Sequence, residues 1–87
     1  MNRNKLQRYI TDAERKFNKV PGQPTKLEIN ARDSFSDGID EGNLKAKVNG
    51  ILADNGITTN NIQEIEVFLS NDRSVTLKWN DVTKLFE

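Results

Sequence analysis

The sequence predicts a small α+β domain in which a sheet and its helices form two layers around one core. Three observations support this: an apolar stripe of helical spacing near the N-terminus, an alternating segment after it, and two further alternating segments joined by a short polar turn. With 87 residues, the chain has room for a single domain spanning 1–87. We expect a two-layer sandwich with the order α-β-α-β-β-α, whose three-stranded, mostly antiparallel sheet is covered by helices on one face.

The first predicted helix spans residues 5–19. Its apolar residues recur at helical spacing, and Asn2 or Asn4 precedes it as a candidate N-cap. Two prolines and a glycine within 21–24 then end the helix. The stripe that we expect to face the core consists of Leu6, Tyr9, Ile10, Ala13, Phe17 and Val20.

The next two segments are a predicted strand and a predicted loop. Residues 25–31 alternate between polar and apolar side chains, which indicates a strand with one buried face. Residues 32–42 are polar, acidic and interrupted by two glycines, so we expect a loop that Phe35 and Ile39 attach to the core. The buried face of the strand would consist of Leu27, Ile29 and Ala31.

A second amphipathic helix is expected between Asn43, its candidate N-cap, and Asn55-Gly56, a typical left-handed C-terminal stop. Gly50 lies inside this helix and has two interpretations. Either another backbone passes close to it, or it is an exposed glycine that weakens the helix. The apolar face of this helix would consist of Leu44, Val48, Ile51 and Leu52.

Two alternating segments around the polar turn 70–73 predict a β-hairpin. Its polar face would set Glu64 and Glu66 near Thr76 and Lys78. After the hairpin, Asn80 or Asp81 is a candidate cap for a short C-terminal helix. The apolar side of that helix would consist of Val82, Leu85 and Phe86.

The composition removes most catalytic chemistry. The chain has no cysteine and no histidine, so it lacks a thiolate nucleophile, the commonest general base and the commonest zinc ligands. No glycine-rich phosphate loop is present, and the serines and carboxylates lie in no recognisable catalytic motif. We therefore expect a protein that is not an enzyme and that uses no catalytic residue, no metal and no cofactor.

The sequence also lacks the apolar runs of secretory signals and membrane spans. Residues 1–7 are polar and basic, and no later stretch approaches the roughly 18 apolar residues of a membrane span. We therefore expect a cytoplasmic protein without a membrane partner. Eleven asparagines among many lysines and isoleucines are typical of AT-rich coding sequences, which favours a phage or another mobile element as the source.

Charge is segregated along the chain although the net charge is zero. Residues 1–32 carry eight basic and three acidic side chains, whereas residues 33–72 carry two basic and eight acidic ones. Two interpretations follow: the halves attract each other within one fold, or one of them forms a charged docking surface.

The acidic segment contains the first candidate site. Asp33, Asp37 and Gly38 match a calcium loop, but Phe35 and Leu44 occupy two positions that need oxygen ligands. A solvated acidic loop therefore fits better than a cation site, and a partner-binding loop or a mimic of a nucleic-acid backbone are further alternatives. Phe68 is a further candidate contact residue, because it is the apolar side chain on the polar face of the hairpin. The candidate partner-binding residues are Asp37, Asp40, Glu41 and Phe68.

The basic first helix offers the alternative site. Basic side chains on one terminal helix could approach phosphates, although the isoelectric point near 6.3 and the absence of a nucleic-acid-binding motif argue against this. The candidate nucleic-acid-binding residues are Arg8, Arg15, Lys16 and Lys19.

The sequence thus favours a small non-enzymatic interaction or regulatory protein. We expect it to bind a protein partner, of an identity that the residues do not specify, through the acidic loop and hairpin or through an exposed strand edge. A nucleic-acid-binding accessory protein is the alternative. Monomer and homodimer remain equally open, and a homodimer would use the edge of the sheet.

Overall fold

A computed structural model describes residues 1–17, 25–32, 38–56, 61–70 and 72–87. Within these residues the chain forms two helices and one four-stranded sheet, which makes it a small α+β domain. The elements in chain order are α1 (Arg3–Phe17), β1 (Lys26–Asn30), α2 (Leu44–Asn55), β2 (Glu64–Phe68), β3 (Ser74–Asn80) and β4 (Leu85–Phe86).

The sheet is mixed and has the strand order β1-β2-β3-β4. β1 pairs in parallel with β2, and α2 lies in the connection between them. β2 and β3 form the predicted antiparallel hairpin, and β4 pairs antiparallel with β3. The prediction of three mostly antiparallel strands was therefore wrong in strand number and in the direction of β1.

The core lies between one face of the sheet and the two helices. Ile29, Ile65, Val67 and Leu77 alternate along their strands with polar residues, and each is at most 4% exposed. The helices contribute buried residues to the same cluster, and no described helix covers the opposite face of the sheet, which is called the open face here. These helix residues are Leu6, Ile10, Ala13, Leu44, Val48, Ile51 and Leu52.

α1 follows the predicted stripe with one exception. Asn2 caps the helix, because its side-chain oxygen accepts a hydrogen bond from the Lys5 backbone N–H at 2.8 Å. Leu6, Ile10 and Ala13 are buried, but Tyr9 is 41% exposed. The expectation that Tyr9 faces the core was wrong, because Tyr9 sits at the margin of the stripe and borders a groove. Val20 and the stop at 21–24 lie outside the described residues.

α2 ends as predicted, at Gly56 in the left-handed conformation with φ of 61°. A Cβ atom placed on Gly50 would meet no heavy atom within 4 Å. No backbone of the described residues therefore passes close to Gly50, which is half-buried, so the interpretation of a close backbone approach was wrong for the described residues.

The predicted C-terminal helix was wrong, because a turn and a strand occupy its place. The side-chain oxygen of Asn80 accepts hydrogen bonds from the backbone N–H groups of Val82 and Thr83, at 2.9 and 3.2 Å. Lys84 then adopts a positive φ of 60°, which reverses the chain. Phe86 returns beside Trp79 on the core face, where the two rings meet edge to face with centroids 5.1 Å apart.

Candidate binding edge and groove

The two edges of the sheet differ in how their backbone groups are satisfied. At the β4 edge, the side chain of Asn49 in α2 accepts a hydrogen bond from the Phe86 N–H at 2.9 Å and donates one to the Phe86 carbonyl oxygen at 3.0 Å. Glu87 exchanges backbone hydrogen bonds with Lys78, so the backbone groups of Phe86 point away from β3. Asn49 therefore occupies the outer edge of β4.

At the opposite edge, β1 offers a free row of backbone groups. Alternate residues of a parallel strand direct their N–H and C=O groups toward the neighbouring strand. Two backbone hydrogen bonds of 2.8 Å show which residues of β1 point toward β2: one runs from the Gln63 N–H to the Thr25 carbonyl oxygen, and the other from the Ala31 N–H to the Phe68 carbonyl oxygen. The odd-numbered residues of β1 thus face β2. Outward-pointing groups without a partner among the described residues belong to Lys26, Glu28 and Asn30.

A groove of about 520 Å³ runs beside this free edge. Its apolar lining comes from α1 and from Leu27, which is half-buried. Glu28 and Asn30 also line the groove. Because their side chains lie on the opposite face of the sheet, it is their backbone that borders the groove, which therefore extends to the edge of β1. The α1 residues that line it are Tyr9, Asp12, Ala13, Lys16 and Phe17.

Charged groups of opposite sign flank the groove. Lys16 is exposed on the α1 side and Glu28 is exposed on the β1 side, and neither forms an ion pair with a described residue. Asp12 forms an ion pair with Arg15, at 3.1 Å. Within the described part of the chain, the edge therefore presents an unpaired cation, an unpaired carboxylate and an apolar groove.

On the open face of the sheet, Lys26 is held by two carboxylates of β2. Its ammonium group lies 2.6 Å from Glu66 Oε1 and 3.6 Å from Glu64 Oε2. The hydrogen bond from Lys26, supported by one from Ser74, lowers the pKa of Glu66, and the same contact with Glu66 raises the pKa of Lys26. Lys26 thus already has two carboxylate partners, whereas Glu28 beside it forms no ion pair with a described residue.

The acidic candidates of the 32–42 loop are engaged within the domain where the structure describes them. Asp40 Oδ1 accepts a hydrogen bond from the Asn43 N–H at 2.9 Å, and Asn43 Oδ1 accepts one from the Asp40 N–H at 2.8 Å. This reciprocal pair closes the turn that precedes α2. Asn43 stands at the N-cap position, but its side chain makes no capping hydrogen bond to the helix, so the prediction of an Asn43 side-chain cap was wrong. Asp37 and Phe35 lie outside the described residues.

Glu41 and Phe68 also have partners in the described part of the chain. Glu41 forms an ion pair with Arg73, which connects the turn before α2 to the β2–β3 hairpin. Phe68 lies on the open face as predicted and is half-buried, with the Arg32 guanidinium 5.1 Å from the centre of its ring. The roles of Asp40, Glu41 and Phe68 in partner binding stay predictions, and each of these side chains would have to exchange an existing contact.

The basic candidates of α1 lie on its outer surface. Arg8 and Lys16 are exposed and unpaired among the described residues, and Arg15 is paired with Asp12. Lys19 lies outside the described residues. α1 therefore presents a moderate basic surface next to the groove.

The sequence offered no individual signal for the residues of the free edge. In the sequence, the polar side of an ordinary amphipathic strand consists of Lys26, Glu28 and Asn30. Only the strand order shows that this strand lies at an edge of the sheet. An exposed strand edge was expected in general terms, but its location was not. Tyr9 could have been noticed as an aromatic residue at the margin of the helical stripe.

Comparisons with protein-family models, with curated proteins and with solved structures found no match for this chain. Neither helix of the described residues combines the length and the apolar composition that a bilayer-crossing segment needs.

Proposed function

We propose that this chain is a small, non-enzymatic protein-binding domain whose partner adds an extended segment to the free edge of β1. The observation that supports the proposal is the row of outward backbone groups at Lys26, Glu28 and Asn30 beside an apolar groove. An exposed strand edge binds another chain through backbone hydrogen bonds.

The groove would select among partner sequences, because backbone hydrogen bonds are the same for any sequence whereas the groove contacts side chains. Side chains of an added strand alternate between the two faces of the sheet. Those on the helix side would enter the groove and contact Tyr9, Phe17 and Leu27, and those on the open side would lie beside Glu28. The preferred partner segment therefore alternates apolar side chains with polar ones and carries a cation next to Glu28.

This edge fits a binding role better than the acidic loop does. Asp40 and Glu41 already make contacts that hold the start of α2, and Phe68 is partly covered by Arg32. Releasing these side chains would cost the contacts that they make in the free protein. The outward backbone groups of β1 have no partner among the described residues, so a strand that pairs with them displaces no such contact. The composition favours a phage or another mobile element as the source, and a regulatory protein from such a source can act by binding a partner without catalysis.

A displayed library of random peptides of about ten residues tests the proposal. We expect enrichment of peptides that alternate apolar and polar residues and include a lysine or arginine. Binding of an enriched peptide should slow hydrogen exchange of the amides of Lys26 and Glu28, because these N–H groups point outward. Failure to enrich any peptide, or protection confined to other strands, would contradict the proposal.

Two substitutions separate the edge from the rest of the surface. Glu28→Pro removes an outward N–H without removing a bond between β1 and β2, so it should weaken peptide binding at least about tenfold while the domain stays folded. Tyr9→Ala removes an exposed wall of the groove and should also weaken binding. Thr76→Ala, two strands away on the open face, is the control and should bind like the wild type.

Nucleic-acid binding by α1 is a second candidate function, supported by Arg8 and Lys16, two exposed cations that form no ion pair with a described residue. Labelled single- and double-stranded DNA and RNA should then bind at low salt, and binding should fall steeply as salt is added. Replacement of Arg8, Arg15 and Lys16 by glutamate should abolish it. Unchanged binding by the triple variant, or no binding at low salt, would exclude this candidate.

A further inference from the structure

We infer that the free edge of β1 pairs with β1 of a second copy of the chain, so that two four-stranded sheets join across a twofold axis. The inference rests on the proposed function, because it uses the same edge and groove. It goes further by naming the occupant.

The edge sets three requirements for a segment that pairs with it. Glu28, which has no ion pair among the described residues, needs a cation opposite it on the open face. Leu27 is half-buried and needs an apolar neighbour on the groove side. The outward N–H and C=O groups of Lys26 and Glu28 need backbone partners.

β1 itself meets all three requirements when it runs antiparallel to a second copy with the axis at Leu27. In this register, Lys26 lies opposite Glu28 of the second copy and Glu28 lies opposite Lys26 of the second copy. Both are hydrogen-bonded pairs, each of which exchanges two backbone hydrogen bonds. The two Leu27 side chains meet between them, in the closer non-hydrogen-bonded pair.

The neighbouring registers fail on charge or on burial. An axis at Glu28 would place two carboxylates directly opposite each other, which is destabilising. An axis at Ile29 would centre the contact on a side chain that is only 2% exposed in the single chain and therefore has little surface left to bury. Of these three registers, only the axis at Leu27 joins opposite charges and buries an apolar side chain that is still accessible.

The groove provides the space that a joined sheet needs at the axis. Paired strands lie about 4.8 Å apart, whereas packed helices lie about 8–10 Å apart, so two copies of α1 require room beside the edge. The groove lies between α1 and that edge, and exposed Tyr9 and half-buried Phe17 line it. Joining two copies would bring these apolar walls together across the axis.

Sedimentation of the full chain from about 10 µM to about 1 mM tests the inference, since an interface this small is expected to be weak. We expect a concentration-dependent conversion of monomer to dimer. Glu28→Lys places two cations opposite each other and should weaken dimerisation at least about tenfold. Thr76→Lys adds a cation to the same face two strands away and should leave it unchanged.

Amide exchange measured at low and high protein concentration gives a second readout on the unmodified chain. The amides of Lys26 and Glu28 should become protected as concentration rises, whereas that of Ile29, which already faces β2, should change little. A chain that stays monomeric at about 1 mM would overturn the inference. So would self-association that Glu28→Lys and Glu28→Pro leave intact.

The two hypotheses fail in different ways. A monomer that binds an extended peptide at β1 would refute the second copy and keep the proposed function. A dimer whose β1 amides stay unprotected would place the dimer interface elsewhere and refute the inference. A chain with neither self-association nor peptide binding at β1 would refute both.

Discussion

The carboxylate of Glu14 in α1 accepts a hydrogen bond from the backbone N–H of Ile62, at 3.2 Å, just before β2 begins. Its other oxygen accepts one from the Asn61 N–H at 3.0 Å, and the Asn61 side chain donates to the Glu14 carbonyl oxygen at 3.1 Å. Ile62 is fully buried. One side chain of α1 therefore satisfies two backbone donors at the entry to β2, which connects the helix to the centre of the sheet.

Glu14→Ala should lower the free energy of unfolding by about 1.5–3 kcal/mol, because hydrogen bonds to a charged group are lost and two N–H groups are left without that acceptor. Glu14→Gln keeps one acceptor oxygen and should lose less. Urea unfolding of the three proteins measures the difference through the transition midpoint. Equal midpoints would show that the contact does not contribute.

Gly50→Ala should stabilise the domain by up to about 1 kcal/mol, because alanine favours the helix and nothing lies within 4 Å of the added Cβ. Gly56→Ala is the matched control, since it makes the same chemical change at a residue with φ of 61°. That variant should be destabilised because the left-handed conformation disfavours a side chain. Thermal unfolding of both variants checks the prediction, and a loss of stability in Gly50→Ala would contradict it.

The contact between Lys26 and Glu66 predicts a pH dependence of stability. The pKa of Glu66 is lowered in the folded state, so its contribution is present above the ordinary glutamate pKa and is lost as pH falls through the folded value. The pKa of Lys26 is raised, so its contribution is present below the ordinary lysine pKa and is lost as pH rises through the folded value. The pair should therefore stabilise the domain between these two limits.

Urea unfolding of the wild type and of Glu66→Gln across the acidic range checks this expectation. The two proteins should differ near neutral pH and converge as Glu66 becomes protonated. Carboxyl chemical shifts should also place the Glu66 pKa below that of exposed glutamates. A difference between the proteins that stays constant with pH would contradict the assignment.

Asn49→Leu should lower the free energy of unfolding by about 1–3 kcal/mol, because the Phe86 N–H and C=O groups would lose both partners. Asn49→Asp keeps an acceptor for the N–H but loses the donor to the carbonyl, so its loss should be smaller near neutral pH. Lys45→Ala, an exposed change in the same helix, should have little effect. Urea unfolding ranks the three variants.

Periodicity was sufficient to predict the elements whose side chains alternate between core and solvent. The stripe of α1, the alternation of β1 and the β2–β3 hairpin all depend on local spacing, and each was confirmed within the described residues except for Tyr9. The C-terminal strand was missed because its structure depends on the Asn80 side chain, the positive φ of Lys84 and the partner strand β3. Apolar spacing in a seven-residue segment does not contain that information.

The candidate site could not be predicted from spacing, because an edge is a property of strand order. β1 is outermost because it pairs with β2 alone among the described strands, and no local pattern distinguishes that arrangement from a central position. The acidic residues were candidates because of their charge. Charge alone did not reveal that Asp40 begins a turn or that Glu41 pairs with Arg73.

The occupied edge of β4 limits how far strand addition can proceed. If two copies join through β1, both outer boundaries of the eight-stranded sheet are β4 strands, and at each one the Asn49 side chain already covers the backbone of Phe86. No further copy could add by the same contact, so growth would stop at two. In that arrangement, the asymmetry of the edges would favour a closed dimer over a filament.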